Sequence, residues 1–489
     1  MNSRELFTYF KIKKVYGKIP EQIDEIYHDS RQVKPNSMFI CTRGFTTDGH
    51  DYYRDAIEKG ASIIVAEKPL DLDTDNVTLV IVKDTHKAMA HIANKFYGHP
   101  SSELDVIGVT GTNGKTTVTT LIYKVLRQMR ETAALSGTIG FEIEGENFPS
   151  DNTTCDILTN QKFLSKATRK NVENMVMEVS SHGLCQGRLW GIDFNIVTFT
   201  NLSQDHLDYH ETMEEYGYVK GLLFAQLGQD LKQSKYLVLN IDDPWFNTYS
   251  YWSPYEVISY GINDVADFKA VDIHYADNQT AFTLLSPEGN YHVQTNLLGE
   301  FNVYNCLAAI ASLFAKGLSV AAIVGNMKEI PPIKGRMEKV DLDVPVSLYI
   351  DYAHTADAIE KSIASILPFK EKRIIFLVGT GGDRDPYKRP LMAEKASLAD
   401  YVVLTVNDPR YENPEKIVRD MEKGMKHNNY AAIPDRQTAI AHAIEVSKPG
   451  DILVFAGKGQ EDYQIVENKK QPHSDYSVVH SEVLKKFRY

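Results

Sequence analysis

The stretch Gly111-Thr112-Asn113-Gly114-Lys115-Thr116-Thr117 restricts what this chain can fold into more than any other. Residues 104–110 before it are strand-like, and residues 118–130 after it are helical in pattern. A strand that runs through glycines into a helix N-terminus is suited to holding phosphate. The glycines let backbone N–H groups approach oxygens, Lys115 can reach terminal phosphates, and the Thr116 hydroxyl can ligate Mg²⁺. Val109 stands where the usual GxxxxGK[ST] pattern has its first glycine. A mere glycine turn is the bland alternative, and the flanking strand and helix weigh against it. The reading is an ATP-dependent enzyme.

At 489 residues the chain exceeds what one hydrophobic core usually organises, and it shows neither internal repeat nor low-complexity tract. Three α/β domains are expected, at residues 1–102, 103–334 and 335–489. The first holds strands at residues 62–66 and 78–82 and helices at 53–59 and 87–96, and ends in the turn-rich Gly98-His99-Pro100-Ser101-Ser102. The central domain carries the phosphate loop, buried strands at residues 174–179 and 194–200, and β-rich sequence over 268–298, giving a P-loop ATPase sheet with an antiparallel addition. The last alternates strands at residues 347–352, 373–378, 401–406 and 452–456 with helices, which predicts a parallel, doubly wound, Rossmann-like sheet. Residues 379–384, 407–410 and 457–461 each follow one of those strands, so they are expected along one sheet edge, where such sheets bind ligands.

The net charge of -12 opposes non-specific attraction to nucleic acid or anionic membrane. No apolar run approaches the roughly 20 residues that span a bilayer, and the first residues lack the order of a signal peptide. A cytoplasmic monomer is expected. Cys41, Cys155, Cys185 and Cys306 are scattered and read as reduced thiols.

Four further features bear on chemistry. Glu178 ends a buried strand, where an acid can reach metal or simply be solvated. His206 lies in the His- and Asp-rich run of residues 200–210, as a metal ligand or a hydrogen-bonded structural residue. Lys220 shares a helical stripe with Met213, Tyr216, Leu223, Phe224 and Leu227. Periodicity favours snorkelling of its stem to solvent, and the sharper alternative is an amine with a depressed pKa that can be modified. Asn302 and Asn305, before a helix expected over residues 306–316, are caps or ligands.

The ordered motifs GTNGKTT, EVSSHGL, FTNLSQDHLDYH, YVKGLLF, GEFNVYN, GRME and DYAHT resemble the Mur ligases, in particular those adding the third amino acid of the peptidoglycan stem peptide. The resemblance implies that ATP phosphorylates the D-glutamate carboxylate of UDP-N-acetylmuramoyl-L-alanyl-D-glutamate and that the amine of an amino acid then displaces phosphate. It implies ATP contacts from Gly111, Thr112, Asn113, Gly114, Lys115, Thr116, Thr117, Asn305, Arg336 and Asp351. It makes Lys115, Glu178, His206 and Lys220 catalytic, with Thr116, Glu178, His206 and a CO₂-derived carbamate on Lys220 as Mg²⁺ ligands. For the UDP substrate it implies Ser30, Phe45, Thr46, Thr47, Asn152, Thr153, Thr154, Ser180, Gln186 and Arg188. Cys155-Asp156 departs from the Pro-Glu of many relatives.

For the acceptor amino acid the resemblance points to Arg384, Asn407, Asp408, Pro409, Arg410, Gly457 and Glu461. Relatives using meso-diaminopimelate typically read Asp-Asn-Pro-Arg, and lysine-using relatives lack the arginine. This chain reads Asn407-Asp408-Pro409-Arg410, with the arginine present and the first two residues exchanged. Arg410 can pair with a carboxylate, which favours meso-diaminopimelate; an ammonium on Asp408 would favour L-lysine. Arg384 in a plain surface salt bridge is the bland alternative. The competing functions are a folylpolyglutamate synthetase, which lacks the first domain, and a nucleotide-binding protein without ligase activity.

Overall fold

The computed structural model describes residues 2–44, 47–150, 152–276, 279–467 and 469–487; the expected substrate contacts Phe45 and Thr46 lie outside the described residues. The chain divides into two compact units, Met1–Gly108 with Glu131–Asn195, and Val109–Arg130 with Ile196–Tyr489.

In the first unit, a five-stranded sheet runs in the order Lys13–Tyr16, Thr78–Val82, Ala61–Ala66, Ser37–Ile40, Glu25–Tyr27. Only Lys13–Tyr16 is antiparallel to its neighbour. The expected strands at residues 62–66 and 78–82 stand inside this sheet, and the helices Tyr53–Glu58 and Thr85–Phe96 match the expected positions. Asp84 starts the longer helix by accepting the Lys87 N–H at 2.9 Å. Strand alternation divides the buried side chains between two faces, with Met38, Ile40, Ile63 and Val65 on one and Phe39, Cys41, Ile64 and Ala66 on the other. The same unit carries the parallel pair Ala133–Gly137 and Asn174–Glu178, followed outward from Ala133–Gly137 by Gly140–Ile143 and Glu146–Phe148.

The second unit opens on the glycine loop and the helix Lys115–Gln128. Strands Ile196–Phe199, Tyr236–Asn240, Glu256–Gly261 and Phe268–Ala276 pair in parallel, and Gln279–Ser286 and Gly289–Thr295 continue antiparallel, which is the expected addition. Nearer the C-terminus, a six-stranded sheet has the order Glu338–Lys339, Ser347–Asp351, Ile452–Ala456, Ile374–Thr380, Tyr401–Val406, Tyr430–Ala432. All its pairs are parallel except the first, as strand–helix alternation requires.

One expected boundary is corrected. The helix placed at residues 306–316 begins at Glu300, with Gly299 at φ 90° as its N-cap. Asn302 and Asn305 are therefore buried inside the helix rather than capping it; Asn302 Nδ2 donates to Leu298 O at 2.8 Å, and Asn305 Nδ2 to Asn302 Oδ1 at 2.9 Å.

Candidate active site

In the second unit, Asn113, Gly114, Thr117, Asn305, Arg336 and Asp351 line a cavity of about 510 Å³. Residues separated by more than two hundred positions in sequence thus face one space. Lys115 Nζ donates to the carbonyls of Gly111 at 2.9 Å and Thr112 at 2.8 Å, and Arg336 Nη2 donates to Thr116 Oγ1 at 2.8 Å. Arg336 also lies over the Tyr352 ring, 4.3 Å from its centroid. Asp351 accepts the Tyr352 N–H at 2.8 Å, while burial raises its pKa.

Lys220 lies on the buried face of the helix Met213–Ala225, which Thr212 starts by accepting the Glu215 N–H at 3.1 Å. Its side chain does not snorkel. The residue is 1% exposed, and Nζ donates to Gly111 O at 2.8 Å. Burial and the nearby Lys115 push the Lys220 pKa well below the ordinary lysine range, against the opposing pull of Asp205.

Asp205 is a hub that pattern reading missed. It is 3.3 Å from Lys388 Nζ, 3.4 Å from His206 Nε2 and 3.7 Å from His354 Nε2. Burial opposes its charge, yet Lys388, His206 and His354 hold the carboxyl well below the usual carboxylate range.

Within the first unit, Glu178 is 1% exposed and its carboxylate accepts the Thr138 N–H at 2.9 Å and the Thr138 hydroxyl at 3.1 Å. Thr138 Oγ1 lies 3.0 Å from Thr153 Oγ1. Thr154 Oγ1 donates to Glu178 O at 2.9 Å and accepts the Ser180 N–H at 3.0 Å. Arg188 joins the cluster through Nη1 to Thr154 O at 2.8 Å and through a fork onto Gln186 Oε1 at 2.9 and 2.6 Å. The expected substrate residues 153, 154, 180, 186 and 188 are therefore one connected group, while Asn152 bonds to Ser150 beside them. Asp156 caps the helix Ile157–Arg169 and lies 3.4 Å from His28, two residues before the buried Ser30. Thr47 accepts the Gly44 N–H at 2.8 Å through its carbonyl.

The three expected loops of the C-terminal sheet do share one edge. Arg410 Nη1 donates to Gly382 O at 2.9 Å, and the Arg384 and Arg410 side chains both lie against Gly381. Burial and the neighbouring Arg384 lower the Arg410 pKa. Arg384 makes no ion pair among the described residues, so the salt-bridge alternative does not describe it. Asn407 turns inward to accept Arg436 Nη1 at 2.8 Å. Asp408 Oδ1 accepts Lys458 Nζ at 3.0 Å and the Ile465 N–H at 2.9 Å. Glu461 lies 2.5 Å from the same Lys458 nitrogen and accepts the Tyr352 hydroxyl at 3.2 Å.

Three family models match in chain order: the Mur ligase family catalytic domain at residues 22–97, the Mur ligase middle domain at 109–313 and the Mur ligase glutamate ligase domain at 335–459. The chain is 52% identical over 480 residues to UDP-N-acetylmuramyl-tripeptide synthetase 2 of Oceanobacillus iheyensis, covering 98% of each. The chain belongs to the Mur ligase family. Another Mur ligase, the UDP-N-acetylmuramoyl-L-alanyl-D-glutamate–L-lysine ligase of Staphylococcus aureus, is 40% identical over 488 residues, with 100% of this chain and 99% of the relative covered. A solved UDP-N-acetylmuramoyl-L-alanyl-D-glutamate–2,6-diaminopimelate ligase superposes with a TM-score of 0.69 at 30% identity, covering 99% of both chains.

Within the phosphate loop, Gly111 and Gly114 both have positive φ and no room for a Cβ, Gly111 being the tighter. Gly111 has φ 146°, and a Cβ there would overlap the Thr200 hydroxyl. Gly111→Ala is expected to cost about 1–3 kcal/mol of local overpacking and to weaken binding of a non-hydrolysable ATP analogue at least tenfold, measured by calorimetry.

Proposed function

We propose that this Mur ligase joins the D-glutamate carboxylate of UDP-N-acetylmuramoyl-L-alanyl-D-glutamate to the amine of meso-2,6-diaminopimelate, releasing ADP and phosphate. The observation that carries the acceptor choice is the placing of Arg384 and Arg410 together against Gly381 while Asp408 is occupied by Lys458. Two adjacent guanidiniums suit a carboxylate and repel the terminal ammonium of lysine. The L-lysine reading keeps support from the 40% identity to the S. aureus L-lysine ligase. The matches extend over the first hundred residues, which a folylpolyglutamate synthetase would not require.

A carboxylate is a poor electrophile, so it is activated as an acyl phosphate that the acceptor amine then attacks. Lys115 would bind the transferred phosphoryl oxygens, with Asn305, Arg336 and Asp351 on the remainder of the nucleotide. Thr116 and His206 would hold Mg²⁺, which supplies charge neutralisation at the phosphates; Glu178 is assigned the same ligand role. The buried Lys220 amine suits attack on CO₂: its nitrogen bonds the carbon, a carbon–oxygen π bond opens and the amine proton leaves, giving an anionic carbamate able to ligate metal. Ser30, Phe45, Thr46, Thr47, Asn152, Thr153, Thr154, Ser180, Gln186 and Arg188 are assigned to the UDP substrate, and Gly457 and Glu461 to the acceptor. The three-domain division at residues 102 and 334, a monomeric state and a cytoplasmic location complete the proposal. Among the described residues, no helix is long and apolar enough to cross a membrane.

ADP release should require both the UDP dipeptide and an amino acid; well-folded protein without such release would reject the ligase reading. In competition among meso-diaminopimelate, L-lysine and L-ornithine, the first should be preferred. Arg410→Ala should lower its kcat/KM by about 10–100-fold. Unchanged selectivity would reject the carboxylate contact.

A further inference from the structure

Residues 6–20 hold four lysines, Lys11, Lys13, Lys14 and Lys18, and no acid, in a chain whose net charge is -12. They run into the strand Lys13–Tyr16, the end strand of the first unit's five-stranded sheet, which pairs on one side with Thr78–Val82. Strand alternation puts Lys13 and Val15 on the face of Val82 and Val80, and Lys14 and Tyr16 on the face of Ile81 and Leu79. The layers that bury Val80 and Leu79 stop short of this strand. All four of its residues are exposed, Tyr16 by 44% and Val15 by 39%, and just before it Tyr9 and Ile12 are each 64% exposed. The segment is nevertheless fixed in place. Phe10 packs against the core, the Tyr9 ring stacks on His91 of the helix Thr85–Phe96 with centroids 3.7 Å apart, and Lys95 of that helix donates to Glu5 O at 2.8 Å. At the far end Gly17 abuts the carbonyl of Thr74, which stands between Asp73 and Asp75, so the cationic part of the face is Lys11 to Lys14.

Lysines on an end strand guard it against pairing with another chain, and that alone would account for Lys13 and Lys14. It does not account for Tyr9, Ile12 and Tyr16, because a guarded edge has no use for exposed apolar groups beside the charges. A second copy of the chain is a poor occupant, since antiparallel self-pairing would set the lysines of one strand against those of the other. Lysines interleaved with aromatic and aliphatic side chains suit the interface of an anionic bilayer, where ammonium groups meet lipid phosphates and apolar side chains enter the headgroup region. We propose that this face is a peripheral docking surface for an anionic lipid bilayer, with Lys11, Lys13 and Lys14 on the headgroups and Ile12 inserted between them. Fields at a surface fall off within about 10 Å at 0.1 M salt, so the lysines act locally while the remainder of the chain, which is net negative, is repelled. Binding is therefore reversible, salt-sensitive and confined to one orientation.

The test is co-sedimentation of the full chain with large vesicles of phosphatidylglycerol and phosphatidylcholine, against vesicles of phosphatidylcholine alone. The chain should sediment with the anionic vesicles at about 0.05 M salt, be released at about 0.5 M, and stay in solution with the neutral ones. Lys11→Glu/Lys13→Glu/Lys14→Glu should lower the partition coefficient at least tenfold, on the order of what three lysines near an anionic surface supply. Ile12→Ser keeps every charge and should lower it about fivefold, the share of a partly inserted aliphatic side chain. Lys423→Glu/Lys426→Glu, a charge change of the same kind on exposed lysines of the second unit, should leave it within twofold. Circular dichroism and thermal unfolding should match the wild type in all three variants, since none of these side chains is buried. No sedimentation with anionic vesicles, equal sedimentation with neutral ones, or binding that survives the triple lysine variant would overturn the proposal. So would an Ile12→Ser variant that binds like the wild type, or a wild type that elutes as a dimer which the triple lysine variant alters, because the face would then belong to a second copy.

Discussion

Lys220→Ala should lower acceptor-dependent ADP formation by about a thousandfold, the scale seen when a group that stabilises developing charge is removed. The reason begins with position. Lys220 is held on the inner face of the helix Met213–Ala225, where Gly217 and Gly221 allow the rings of Trp245 and Trp252 to pack against the helix itself. A lysine nitrogen enclosed there, bonded to Gly111 O beside the Lys115 nitrogen that shares the same carbonyl, gives up its proton more readily than an ordinary lysine. A neutral amine is a nucleophile, and a carbamate formed on it would place a negative charge next to the phosphate loop. Formate or acetate should restore part of the activity by supplying a carboxylate in the vacated space. Carbon-13 NMR of protein equilibrated with labelled CO₂ should show a carbamate signal in the wild type that Lys220→Ala lacks. Full activity in the variant, or a wild type without the signal, would reject the carbamate.

How much of this was legible in the sequence depended on whether the signal was local. The phosphate loop was, because strand, glycines, lysine and helix are consecutive. The C-terminal sheet was, because four apolar runs of strand length alternate with helices and each edge loop follows its own strand. The burial of Lys220 was half legible. Its stripe was visible, but the choice between snorkelling and enclosure depends on Gly111, 109 residues away. Partnerships across long separations left no local trace: Lys388 reaches Asp205 across 183 residues, and Lys458 reaches Asp408 across 50. The residues of Asn407-Asp408-Pro409-Arg410 could be named as acceptor-site candidates, yet which of them turn inward is decided by Arg436 and Lys458. The helix Glu300–Ala315 was misplaced for a related reason. Its N-cap is Gly299, which lacks the usual capping side chain, while Asn302 and Asn305 look like caps and are buried amides instead. The strand Ser37–Ile40 has four buried residues in a row, so it offers no alternation to read.

Arg436→Leu should destabilise the C-terminal sheet by about 3–5 kcal/mol, the cost of leaving a buried carboxylate without its cation. Arg436 and Asp475 both have fully buried side chains, and His473 Nε2 adds a contact to Asp475 Oδ1 at 2.8 Å. Arg436 Nη2 also donates to Ala456 O at 3.0 Å, and Nη1 to Asn407, so one guanidinium fastens two edge loops and the start of the helix Asp475–Phe487. Burial opposes the charge on Asp475, but Arg436 and then His473 push its pKa from 3.8 down to about 2. The sign follows: a depressed carboxyl stabilises the fold above its unfolded pKa, and that contribution is lost as pH falls from 3.8 through about 2. Urea unfolding followed at several pH values should therefore show a wild-type decline in that window that is smaller in Asp475→Asn, where Glu412, also held at about 2, still contributes. A chain of several domains need not unfold in one step, so the transition to follow is that of the C-terminal sheet. The double variant Arg436→Leu/Asp475→Leu removes both charges together and should recover most of the loss, because an apolar pair can replace a buried ion pair at little cost. If Arg436→Leu unfolded at the wild-type urea concentration, the guanidinium would hold nothing that the surrounding packing does not hold already. If the double variant fared no better than the single one, the loss would come from the loops released from Arg436 and not from the stranded carboxylate.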